Sequence, residues 1–148
     1  MGNIDTGRVI LGGIVAGFVI NLLSFLVDGF LLATQWADAM KALSRPAFSG
    51  GQMLWFNIFG FVVGIILIWI YAAIRPRLGP GPKTALIAGI VVWILCYLIP
   101  NVSFMSVANL FDHRLTLHTT LGNLIEVLAG ALAGGFLYRE STPTATLS

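Results

Sequence analysis

The stretch LHTTLGNLIEVLAGALAGGFLY, residues 117–138, is long and apolar enough to cross a bilayer, whose hydrocarbon core needs roughly 20 residues of helix. It carries one acid near its middle, Glu126. Steps of about one helical turn from Glu126 reach Gly122 and His118 in one direction and Gly130 and Gly134 in the other. One face therefore combines an ionisable group with a track of glycines. Small residues at i, i+4 let another helix backbone come close, whereas a charged group in hydrocarbon costs several kcal/mol unless it is partnered or neutralised. Such a face belongs against other helices, in a packed bundle or around a small cavity.

The rest of the chain supports that setting. Of its 148 residues, 57% are hydrophobic and 9% are charged, against about 25% charged in a soluble domain. The mean hydropathy is +0.92. This composition supplies one all-α membrane bundle and leaves no residues for a soluble catalytic domain. The net charge of +2 rests on few charges and gives no reason to expect nucleic-acid binding. A single cysteine, Cys96, excludes an intrachain disulfide and a cysteine-only metal site; its place in an apolar run predicts core packing.

Four spans are expected, at about residues 9–33, 53–74, 84–105 and 117–138, followed by a polar tail at 139–148. The first run exceeds the apolar core of a cleaved signal peptide, about 7 to 15 residues. In it Gly13, Gly17, Asn21, Ser24 and Asp28 recur at three and four residues, the counterpart of the stripe on the last span. If the two stripes face each other, Glu126 meets Ser24 or Asn21, and Asp28 meets His118 or Asn57. Between the first two spans, Trp36, Met40 and Leu43 share one helical face, which predicts a short helix lying in the membrane interface. The second span is uncharged and carries Asn57, Gly60 and Gly64 on one side. The nine residues RPRLGPGPK, 75–83, predict a tight basic turn, and Pro100 predicts a kink or an end in the third span. At an offset of 66, Asn57 matches Asn123 and Gly64 matches Gly130, a weak internal repeat that duplication of a hairpin would explain.

The strings WIYAAIRPRLGPGPKTALIAG (69–89), NLLSFLVDGFLLATQWADAMKAL (21–43) and FLYRE (136–140) resemble those of an uncharacterised family of small bacterial four-helix integral membrane proteins. The resemblance implies a multi-pass protein of the bacterial inner membrane and assigns no activity, cofactor or site residue. With four spans, one side of the membrane receives Arg8, Arg75, Arg77, Lys83 and Arg139, the other Lys41, Arg45 and Arg114. The excess of positive charge places both termini in the cytoplasm.

Depth arithmetic at about 1.5 Å per residue gathers Asp28, Asn57 and Asn123 in one layer, with Glu126, Ser24 and Asn21 deeper and His118 nearer the surface. No Lys or Arg shares the depth of Glu126, so it is expected neutral and hydrogen-bonded across to the first span. Its structural reading is a polar contact between helices; its functional reading is a proton or ligand site. His113 and His118, five residues apart, lie on different faces of a helix, which speaks against joint ligation of a metal. Zinc-protease, nucleophile-elbow, dinucleotide and P-loop motifs are absent from the chain. The leading expectation is thus a non-enzymatic accessory subunit of a larger membrane complex or a homo-oligomer, without metal or cofactor, whose partners are lipid, itself or other membrane subunits. Its packing would use Gly13, Gly17, Gly64, Gly122, Gly130 and Gly134. The alternative is a transporter or binding protein for a proton, cation or small amphiphile, with an outward-opening pocket around Glu126 and Asp28.

Overall fold

The computed structural model describes residues 4–138, so the polar tail and Arg139 of the charge count lie outside the described residues. Helix α1 (Thr6–Leu26) widens into a π-helical turn (Val27–Leu31) and is followed by the short α2 (Ala33–Ala42). The long α3 (Gly50–Leu78) leads to α4 (Pro82–Trp93), which continues through two π-helical segments, Ile94–Leu98 and Asn101–Val107; α5 spans His113–Leu137. Four stretches, Thr6–Leu31, Gly50–Leu78, Pro82–Val107 and His113–Leu137, are long and apolar enough to cross a membrane, the form of a multi-pass membrane protein.

Local chemistry sets the boundaries. Asp5 caps α1 by accepting from the Arg8 backbone N–H at 3.1 Å. Ser49 and Gln52 form a reciprocal capping box, which draws Gly50 and Gly51 into the first turn of α3. At its other end α3 runs through Pro76 to Leu78, so the expected nine-residue turn shrinks to Gly79–Gly81. There φ is +82° at Gly79 and +134° at Gly81, a backbone that side chains disfavour. Pro100 does not end α4. The helix carries on in wider turns, with the Ala108 N–H reaching Ser103 O at 3.0 Å. Extra residues per turn accommodate the ring and the missing donor that would break a regular helix.

Helix α1 lies between α3 and α5, and its glycines let both come close. A Cβ on Gly13 would lie 2.6 Å from the Ile65 Cα, and one on Gly17 would lie 2.7 Å from the Phe61 Cα, both on α3. A Cβ on Gly12 would lie 2.9 Å from the Gly134 O on α5 and 3.2 Å from the Ile68 Cγ2 on α3. The Gly13–Gly17 stripe thus faces the second span, and the expectation that it meets the glycine stripe of the last span is corrected. Gly130 packs instead on Ala16 and Ile20, and Gly122 on Val27. Gly89 of α4 approaches Leu128 and Ala131 of α5. Around these approaches Ala16, Ile20, Leu67, Ile68, Val92 and Val127 are fully buried.

The two ends of the bundle differ. At the end holding the N-terminus, the buried Tyr71 hydroxyl accepts from Gly81 N–H at 3.2 Å, and its ring meets Tyr138 edge-on at 5.9 Å. Arg75 lies over the Tyr138 ring at 5.6 Å, and the Tyr138 hydroxyl accepts from Asp5 N–H at 3.4 Å. At the opposite end residues 50–59 of α3 are exposed all round, so this part of the helix stands apart from α4 and α5.

A methyl group added at Gly64 would collide with the Gly17 N and the Gly13 O, which are backbone atoms of α1. Gly64→Ala is expected to destabilise the protein by about 1–3 kcal/mol, the usual range for overpacking. Gly50→Ala, whose added carbon has nothing within 4 Å, is expected to melt like the parent. Thermal unfolding in one mild detergent, followed by circular dichroism, checks both.

Candidate functional site

The space left by the divergent end of α3 is a cavity of about 640 Å³. Its walls include Asn21, Ser24 and Asp28 of α1, Asn57 and Gly60 of α3, Cys96, Tyr97 and Asn101 of α4, and Thr119, Asn123 and Glu126 of α5. Trp36 and Met40 of α2 and Phe48 of the following loop cover one side. The Trp36 indole meets Phe48 at 6.0 Å and Phe111 at 5.5 Å, both edge-on, which holds α2 over the mouth.

Each carboxylate has its own setting. Asp28 sits in the π-helical turn of α1 and accepts two hydrogen bonds, from the Trp36 indole N–H at 3.1 Å and from the Ser24 hydroxyl at 3.3 Å. Glu126 is 1% exposed. Its Oε2 accepts from the Asn123 amide at 3.3 Å, and Asn123 accepts in turn from Asn101 at 3.1 Å, so a directed chain of amides runs from α4 to the acid. Asn101 also donates to the Thr120 hydroxyl at 3.2 Å. The Glu126 Oε1 and the Thr119 hydroxyl are buried without a hydrogen-bond partner. The lining holds two acids and no Lys or Arg.

Of the residues singled out from the sequence, Asn21, Ser24, Asp28, Asn57, Asn123 and Glu126 do come together around this space. Their pairings differ from those expected. Glu126 bonds within its own helix, to Asn123, rather than across to Ser24 or Asn21 of α1. Asp28 takes Ser24 and Trp36 rather than His118 or Asn57. His118 Nδ1 lies 3.1 Å from the Gln35 Oε1 and links α5 to α2 outside the cavity. The Asn21 amide donates to the backbone O of Asn57 at 3.0 Å, so its side chain crosses to α3. Cys96 is exposed at the cavity rim rather than packed in the core, a correction that follows from the extra residues of the π-helical segment turning it outward.

Sequence reasoning missed Trp36, Tyr97, Asn101 and Thr119. For Thr119 a signal existed, since it lies two helical turns from Glu126 on the same face. Trp36 was legible only as an interfacial anchor, and Asn101 only as the residue after a helix-breaking proline. All three π-helical segments border this one cavity, through Asp28, through Cys96 and Tyr97, and through Asn101. Such insertions occur often at functional sites, where the added residue re-aims a side chain. A second groove of about 710 Å³, beside Gly81, Pro82 and Leu132, offers a single polar side chain, Tyr71.

Among the described residues no three His, Cys, Asp or Glu side chains converge as metal ligands. The arrangement can accept hydrogen bonds and counter a positive charge in a site enclosed by helices. Comparison with protein-family models, with curated proteins and with solved structures yields no match to this chain.

Glu126→Gln keeps an acceptor for Asn123 and nearly the same volume, so its melting temperature is expected within a degree or two of the parent's. Glu126→Leu leaves the Asn123 amide without its acceptor and is expected to cost about 1–3 kcal/mol. Asn123→Ala cuts the chain on both sides and is expected to cost as much. Thermal unfolding of the three variants in one detergent measures the order.

Proposed function

We propose that this chain is a non-enzymatic binding or transport protein for a proton, a cation or a small amphiphile, held at the cavity around Glu126 and Asp28. One observation carries the reading: the two acids within the spans line one cavity of about 640 Å³, and the deeper of them has a buried oxygen without a partner. Volumes of roughly 300–1,000 Å³ are usual for small-ligand sites. An ionisable side chain within a membrane span is costly and commonly functional.

The competing reading, an accessory subunit or a homo-oligomer, draws its motive from the small-residue faces. Gly13, Gly17, Gly64, Gly122, Gly130 and Gly134 all meet neighbours within the chain, so none is left to seat a partner. What favours assembly is the exposed first part of α3, where Leu54, Trp55 and Ile58 are exposed and do not line the cavity. Extraction in gentle detergent followed by sizing tests it; a monomer with nothing bound removes the support.

The resemblance supports a bacterial inner-membrane setting, and the basic turn near Arg75, Arg77 and Lys83 supports an orientation with both termini in the cytoplasm. In that orientation α2 lies at the outer surface, with Trp36 and Met40 toward the cavity and its charged side toward water.

A ligand that binds the folded form raises its melting temperature. In a melting panel of protons, alkali cations and amphiphiles, at least one class is expected to stabilise the parent by several degrees and to lose that effect in the Asp28→Asn, Glu126→Gln double variant. No stabilisation by any class, or equal stabilisation of parent and double variant, overturns the reading.

A further inference from the structure

We infer that the cavity takes a membrane-borne amphiphile with a protonated amine head, admitted sideways from the bilayer and held by its head at Glu126 and Asp28. The inference rests on the binding function proposed above and names its ligand class. Three features lead to it.

The first is access. Several cavity walls are also outer surface of the bundle: Phe25 of α1 is 68% exposed, Phe59 of α3 is 56% exposed, and Cys96 of α4 is exposed. All three lie within the stretches apolar enough to span a membrane. In a bilayer, lipid chains therefore meet these walls from outside. An aqueous solute would have to pass the covering made by Trp36, Phe48 and Phe111, whereas a molecule already in the bilayer meets apolar walls.

The second is polarity along the cavity. Phe56, Phe59 and Val63 line the side of α3 together with one amide, Asn57, whose N–H donates to Met53 O of its own helix, while both acids and the other amides lie on α1, α4 and α5. A ligand with an apolar tail and a polar head fits that division; a bare ion would leave the apolar wall unused.

The third is the demand made on the head. Asp28 is engaged as an acceptor on both oxygens, by Trp36 and Ser24. The Glu126 Oε1 and the Thr119 hydroxyl oxygen have no partner although both residues are more than nine-tenths buried. Unpaired acceptors call for N–H donors, and two acids without a Lys or Arg in the lining call for positive charge. A primary ammonium supplies both; a quaternary ammonium supplies charge without donors, and an alcohol supplies a donor without charge.

The test uses the full chain in a neutral detergent, with retention of added probes read by native mass spectrometry. The probes are dodecylammonium, dodecyltrimethylammonium, dodecanol and the short methylammonium ion. Dodecylammonium is expected to be retained saturably, about tenfold or more tighter than dodecyltrimethylammonium or dodecanol, the scale of one charge-assisted hydrogen bond. Glu126→Gln is expected to erase that margin while dodecanol binding stays unchanged; Asp28→Asn is a second route to the same loss, and melting confirms that both variants fold. Equal retention of dodecanol and dodecylammonium by the parent overturns the amine head and leaves a binding cavity. Competition by methylammonium at the concentration of dodecylammonium overturns the amphiphile and leaves a cation site. Unchanged dodecylammonium binding in both variants overturns the assignment to these acids. If no probe is retained and the melting panel is flat, the inference and the binding function fall together.

Discussion

Everything in this bundle is arranged around the absence of side chains where α1 crosses its neighbours. In lipid there is little hydrophobic gain from bringing two apolar helices together, so close backbone contact and its dispersion energy must hold them. Gly13 and Gly17 of α1 meet Gly60 and Gly64 of α3, while Gly12 and Ala16 meet Gly130 and Gly134 of α5. That contact fixes the helices tightly near the chain's N-terminal end, where Tyr71 and Tyr138 add their rings and hydroxyls. Beyond Gly60 the close contact gives way to an amide, Asn21, reaching across to the Asn57 carbonyl. From that level the helices diverge.

Divergence exposes polar groups to a medium without water, and the chain answers with side chains that bond one another. Asn101, Asn123 and Glu126 form one series, and Trp36, Ser24 and Asp28 another. The π-helical turns contribute by rotating residues out of regular register. Asp28 points toward the indole of α2, and Asn101 reaches α5 although it follows a proline.

Hydropathy made the four spans legible because it depends only on the length of the apolar runs, and turn spacing made the polar layer legible because it depends only on the three-to-four-residue helical period. Partners were harder to read. In LGGIVAG, residues 11–17, glycines stand side by side at 12 and 13; Gly13 faces α3 alone whereas Gly12 reaches α5 as well, and no periodicity says which does which. Widened turns were not legible at all, since a hydrogen bond to the fifth residue leaves no mark in an apolar run. That is why Pro100 read as a kink or an end and Cys96 as core. The polar residues were found, and their pairings were not, for the same reason: a shift of one residue in register changes which side chain meets which.

The cavity draws its lining from Ile20 onward in α1, up to Val63 in α3, from Cys96 onward in α4 and up to Glu126 in α5. On the far side of that floor, Ala16, Leu67, Ile68 and Val127 are at most 1% exposed. The chamber is thus a cul-de-sac that ends at this floor inside the bundle. A continuous path from the chamber to the other end of the bundle would require the glycine-packed half to come apart.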